Sequence, residues 1–123
     1  MPVYKLILLL KKRPDMSVQE FRDYYETKHR LIGEKYPAGM VRYVRRYLDP
    51  APGDTAELPY DVITEVWFDN RKIFEAALRN VSSENLDAEV VADEERLFDR
   101  PKNRVMTVVE VESDLDRIRA GNS

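Results

Sequence analysis

The chain has 123 residues, a formal net charge of −3, 43% hydrophobic residues and no cysteine. These values fit one folded domain. They exclude disulfides and thiolate metal sites, and the acidic balance argues against a general phosphate-backbone binder. The longest apolar run, Leu6 to Leu10, is far short of the ~18–20 residues that span a bilayer. With no secretory leader in view, the expected location is the cytoplasm, with neither nucleic acid nor membrane as partner.

Val3 to Leu10 is apolar except for Lys5 and reads as a buried strand ended by Lys11-Lys12-Arg13-Pro14-Asp15. Ser17-Val18-Gln19-Glu20 is a capping box. The helix behind it places Val18, Phe21, Tyr25, Ile32 and Tyr36 on one stripe. His29, the one histidine of the chain, follows Tyr25 by four residues and so falls on the edge of that stripe. Pro37 and Gly39 end the helix. Met40 to Leu48 is predicted as a second strand, Asp49 to Asp54 as a loop, and Tyr60 to Phe68 as a third strand. Asp69 caps a helix over about Asn70 to Arg79. Ser82 or Ser83 starts a further helical stretch reaching about Phe98, and Arg104 to Val111 is the fourth strand. Residues 1–113 form the domain, and residues 114–123 a polar, frayed tail.

The order β-α-β-β-α-β is the split βαβ, ferredoxin-like pattern, an α+β fold with a four-stranded antiparallel sheet. Two helices cover only one face of such a sheet. In the third strand Val62, Val66 and Phe68 take one face, while Asp61, Ile63, Glu65 and Trp67 take the other. That second face is too apolar for free solvent and too charged for an ordinary core. Lys5 shares a face with Val3, Ile7 and Leu9. With strands one and three side by side, Lys5 and Glu65 are expected to pair across them within a partly closed cavity.

Histidine is the side chain whose ordinary pKa, ~6.5, lies closest to neutrality. His29 is therefore the candidate acid/base group, against the alternative of a helix-end histidine that only satisfies a carbonyl or the helix dipole. Glu65 is a candidate orienting or electrostatic group. Asp61, four residues earlier and roughly 13 Å away by strand rise, is too distant to share its proton. Tyr25, Tyr43, Tyr47 and Trp67 are aromatics able to line a pocket, with Tyr25 and Trp67 favoured, and Arg42 and Arg46 share a strand face suited to a substrate carboxylate. Asp93-Glu94-Glu95 point in different directions on a helix, so no metal site is expected. No phosphate loop, dinucleotide fingerprint or nucleophile elbow is present.

The set Lys5 to Pro14, Met16-Ser17, Glu20-Phe21, Tyr24-Tyr25 and His29, then Asp61 to Asp69, then Ala92-Asp93-Glu94 with Leu97-Phe98-Asp99, resembles the EthD-domain family. The resemblance runs to about Glu112. It implies a dimeric α+β barrel in which two sheets pack through their uncovered faces around a shared chamber, with the imidazole on its wall. The superfamily so implied includes polyketide cyclases, methylmuconolactone isomerase, cofactor-free monooxygenases and members with no assigned reaction. The histidine matching His29 is commonly an acid/base group there. The loop from Asp49 to Leu58 and the charged tail depart from the family pattern, so the substrate does not carry over.

The resulting expectation is a homodimeric enzyme doing cofactor-independent cyclisation with dehydration, or isomerisation, on an apolar aromatic or lactone-like metabolite. His29 and Glu65 would be the catalytic groups, and Lys5, Tyr25, Asp61 and Trp67 would contact substrate. The alternative is a non-catalytic ligand-binding or auxiliary protein of the same fold, serving an oxidoreductase degradation pathway.

Overall fold

Leu6, Leu8 and Leu10 alternate with Lys5, Ile7 and Leu9 along the first strand, and that alternation sets the two faces of the molecule. The computed structural model describes residues 2–82 and 86–121. Strand β1 (Tyr4–Leu10) lies at the sheet centre between β3 (Val62–Phe68) and β4 (Arg104–Thr107), and β2 (Arg42–Tyr47) pairs with the far side of β3. The order is β2-β3-β1-β4 and every neighbouring pair is antiparallel. The ferredoxin-like α+β sheet is as expected.

All helices longer than one or two turns sit on one face. The first begins as α1 (Val18–Tyr24), passes through a π-helical turn over Tyr25–His29, and ends as α2 (Arg30–Gly33). Its capping box is complete: Glu20 N–H donates to Ser17 Oγ at 3.0 Å, and Ser17 N–H donates to Glu20 Oε1 at 3.1 Å. Helices α3 (Arg71–Ser82) and α4 (Ala88–Leu97) follow β3. The predicted start at Ser83 lies outside the described residues; the described helix begins at Ala88, where the Asp87 carboxylate caps Glu89 N–H.

Two apolar clusters hold the layers together. One joins Leu10, Phe21, Tyr25, Val62, Leu97 and Phe98, and the other joins Leu6, Val66, Phe68 and Ala77. Phe21 and Leu97 are wholly buried, whereas Val18, at the first position of α1, is exposed and adds nothing to the predicted stripe. The fourth strand is shorter than expected. Its ladder ends at Thr107, and the chain runs on with Val109 and Val111 exposed. The predicted frayed tail instead forms one short helix, α5 (Leu115–Arg119), started by Asp114 capping Arg117 N–H at 3.0 Å. No described helix is long and apolar enough to cross a membrane.

Candidate active site

The site begins with an irregularity in the first helix. At the π-turn, Arg30 N–H donates to the carbonyl of Tyr25, five residues back. The wider turn brings residues four apart closer to vertical alignment than an α-helix would. Tyr25 and His29 are thereby both turned toward the sheet and both buried. Their rings meet edge to face with centroids 5.0 Å apart, and His29 meets Phe98 in the same manner at 5.2 Å.

His29 Nδ1–H donates to Asp93 Oδ2 at 2.8 Å, and the other oxygen of that carboxylate accepts from Tyr24 Oη at 2.6 Å. Arg96 stands 3.7 Å from Asp93 Oδ1. Asp93 is itself buried, and these donors answer its charge. The carboxylate fixes the tautomer, leaving Nε2 as a lone pair with no partner among the described residues. Burial pushes the imidazole below its ordinary 6.5, and the bond to Asp93 pulls partly the other way. A neutral ring with an oriented, unengaged nitrogen is the arrangement of a general base.

That ring lines a cavity of about 710 Å³ between the helices and the covered face of the sheet. Leu6, Leu8 and Leu10 from β1, Val66 from β3, Ile32 and Tyr36 from the end of the first helix, and Ala77 and Val81 from α3 make most of its wall. Its ionisable groups are few. Besides His29 and the tyrosines they are Asp87 and Glu94, and no described lysine or arginine lines it. Burial pushes the Glu94 carboxyl up, against the opposing pull of Arg100 at 3.7 Å. Glu94 makes no side-chain hydrogen bond among the described residues, so its bonding capacity is open to a ligand.

Three hydroxyls form a second polar cluster. Tyr25 Oη is 2.7 Å from Thr64 Oγ1 and 3.2 Å from Tyr43 Oη. All three residues line the cavity. Burial raises both tyrosines above their ordinary value of 10.0, so both keep their protons. Gly33 is required here, because a Cβ at that position would collide with the Tyr43 phenol. Gly39, at φ +84°, takes the left-handed backbone the turn needs, and a Cβ there would also run into Ile73.

The predicted site residues therefore divide. His29 and Tyr25 stand together on the cavity wall. Glu65, Lys5 and Trp67 lie on the opposite, uncovered face, and the expected Lys5–Glu65 pair does not form. The register sets Lys5 opposite Trp67 and Glu65 opposite Ile7, so the two charges are diagonal. Lys5 binds Glu110 at 2.8 Å and stands 3.9 Å over the Trp67 ring. Glu65 takes Arg46 at 2.7 Å and Trp67 Nε1–H at 3.0 Å, and the Arg46 bond is the main reason its carboxyl is held below the usual range. Arg42 also lies over Trp67, at 4.4 Å, so neither Arg42 nor Arg46 reaches the cavity. Asp61 does not line the cavity: its carboxylate accepts Lys12 N–H at 2.9 Å and lies 3.4 Å from Lys11 Nζ, closing the end of β1 onto the start of β3. The imidazole is also not on the face expected to become a dimer chamber; it lies inside the single chain.

Asp93, Glu94 and Thr64 were not picked out from the sequence as site residues. A signal existed for the first two. Val90, Asp93, Glu94 and Leu97 follow helical spacing, so two acids occupy positions of an apolar stripe. Thr64 carried none, since a threonine inside a strand is ordinary. Among the described residues no group of three or more histidine, aspartate or glutamate side chains is placed to hold a metal.

Solved structures share this architecture. An ethyl tert-butyl ether D (EthD) family protein from Bacillus halodurans C-125 is 20% identical, with 89% of this chain and 100% of that one covered at a TM-score of 0.61. An EthD-like protein from Ralstonia eutropha JMP134 is 14% identical, covering 91% and 96%, at 0.54. A Bacteroides fragilis protein of ferredoxin-like fold, described as dimeric, is 17% identical over 88% and 96%, at 0.49. No curated protein matches the chain. The family model of the EthD domain matches residues 13–101, a span that holds the π-turn, His29, the hydroxyl cluster and the Asp93–Glu94 pair. The chain belongs to the EthD-domain family.

Proposed function

We propose that this protein is a proton-transfer enzyme acting on a small, neutral, apolar ring compound, by isomerisation or by cyclisation with dehydration. The observation that carries the reading is the buried His29–Asp93 pair, with its free Nε2 on the wall of an otherwise apolar cavity. In such a reaction His29 Nε2 takes a proton from a carbon next to a carbonyl. Asp93 stabilises the imidazolium so formed and holds its orientation. Glu94, which also lines the cavity, gives or receives the second proton in this reading. The absence of lysine and arginine from the described lining disfavours a carboxylate or phosphate ligand, since nothing there would offset the cost of burying its charge.

The uncovered sheet face supports a second part of the reading, that the working form is a homodimer. Ile7, Val44, Ile63, Trp67 and Met106 lie there among paired charges, at a site for a second copy of the chain. The cavity then belongs to each protomer and the interface to the pair.

The test is α-proton exchange. In D₂O, 2-tetralone incorporates deuterium beside its carbonyl, which NMR follows directly. Wild-type protein is expected to accelerate the exchange, and His29→Ala to lose about 10²–10⁴-fold of that acceleration while keeping its fold. Equal rates for the two proteins would overturn the assignment. Binding of 2-tetralone beside His29 with no acceleration would favour the ligand-holding alternative.

A further inference from the structure

We propose that the Tyr43 hydroxyl is a carbonyl-binding donor, supplied through a relay running from Thr64 to Tyr25 to Tyr43, so that the ligand is a neutral ketone or lactone docked by its oxygen. The proposal rests on the cavity being the ligand site, as above, and adds where the ligand's polar atom sits.

The argument begins with hydrogens. Three hydroxyls share two hydrogen bonds, at 2.7 and 3.2 Å, and none of them has another hydrogen-bond partner among the described residues. Three O–H hydrogens serve two bonds, so one is left over. Its position depends on the direction of the chain. If Tyr43 donates to Tyr25 and Tyr25 to Thr64, the spare hydrogen falls on Thr64, which touches the cavity but is only 2% exposed, and if Thr64 and Tyr43 both donate to Tyr25 it falls on Tyr25, only 1% exposed. An unsatisfied donor buried there is costly. In the opposite direction Thr64 donates to Tyr25 and Tyr25 to Tyr43, which places the spare hydrogen on Tyr43. That residue is half-buried and lines the cavity, where water or a ligand can accept the bond. Each bond in such a chain polarises the next, so the terminal O–H is a better donor than an isolated phenol.

The Tyr43 ring is also held still. Arg45 lies over it at 4.9 Å and is in turn gripped by Glu26 through two hydrogen bonds of 3.0 and 2.6 Å. Gly33 leaves the space in which the phenol rests. A fixed donor aimed at developing charge on oxygen is the arrangement that stabilises an enolate. His29, stacked edge-on against the middle member of the relay, is the group that would create one.

Binding of 2-tetralone and of tetralin, which lacks only the oxygen, tests this without any turnover. Both affinities are measured by NMR, and the carbonyl stretch of bound ¹³C-labelled 2-tetralone by infrared difference spectroscopy. Tyr43→Phe is expected to weaken 2-tetralone roughly 3- to 10-fold, to leave tetralin within about 2-fold, and to move the carbonyl band to higher frequency. Tyr25→Phe is expected to move the band part of the way with tetralin binding unchanged. Equal weakening of both ligands by Tyr43→Phe means a packing role and overturns the proposal, as does a band unmoved in either variant. Failure of tetralin to bind the wild-type protein is a different result: it removes the apolar-cavity reading itself, and the proposal with it.

Discussion

The two faces of the sheet both carry aromatic and polar groups and use them in opposite ways. On the covered face, polar groups are few and each is oriented by another: Asp93 by His29 and Tyr24, Tyr25 by Thr64 and Tyr43. On the uncovered face the charges form pairs in which one partner is exposed and the other is not, Arg46 with Glu65 and Glu110 with Lys5, arranged about Trp67. Water reaches Arg46 and Glu110, the exposed partner of each pair, and screens their charge. The first set sits where an electrostatic interaction is strong and an unpaired group is costly. Glu65 is nearly as buried as His29, but its partner Arg46 is half exposed, whereas His29 and Asp93 are both buried.

The largest effect on stability is expected from breaking the covered face. Phe21 is wholly buried and touches Tyr25, Tyr47 and Phe98. Phe21→Ala should cost about 3–5 kcal/mol in denaturant unfolding. Ile63→Ser, on the uncovered face, should change protomer stability far less and instead weaken self-association, read by analytical ultracentrifugation. A loss of stability as large as that of Phe21→Ala would show that the uncovered face is core and dissolve the contrast.

A middle-sized effect belongs to the dyad. Asp93→Asn removes the carboxylate that two donors share and should cost about 1–3 kcal/mol of stability. It should also lower the titration point of His29 further, because the group opposing burial is gone. An imidazole that titrates unchanged would mean that Asp93 does not set its protonation.

The dependence on pH sharpens the same point. His29 has a folded-state pKa below its unfolded 6.5. Its contribution to stability is therefore full above 6.5 and is lost as pH falls through the folded value. Glu94 has the opposite sign: its folded pKa is raised above 4.5, so its contribution is full below 4.5 and is lost as pH rises through the folded value. His29→Gln should flatten the acid limb of the stability curve, and Glu94→Gln the rising-pH limb. Unfolding curves measured between pH 4 and 8 would show both. The smallest effect is expected at Glu110, whose side chain is 62% exposed: Glu110→Ala should cost under about 1 kcal/mol even though its pair with Lys5 is short.

The order of elements, the capping box, the two faces of β3 and the position of His29 at the edge of an apolar stripe were all legible in the chain, because each follows from a local period of two or 3.6 residues. Glu65, Lys5, Trp67 and Asp61 do not share the cavity with His29, for one reason. Alternation tells which residues lie on the same face, but not which face the helices will cover around the cavity. The acids at 93 and 94 stood on an apolar stripe and were open to the same reading, yet the histidine that meets Asp93 lies 64 positions away in sequence.

The sequence by itself determined the fold and named the imidazole, since secondary structure is written in short-range patterns and one histidine leaves no choice. Only the tertiary structure decided the rest: that the ring turns inward through a π-turn, that Asp93 meets it, and that three hydroxyls from a helix and two strands share two hydrogen bonds. Such meetings depend on helix crossing and strand register. Those are fixed by packing the whole domain at once, and no local stretch of residues encodes them.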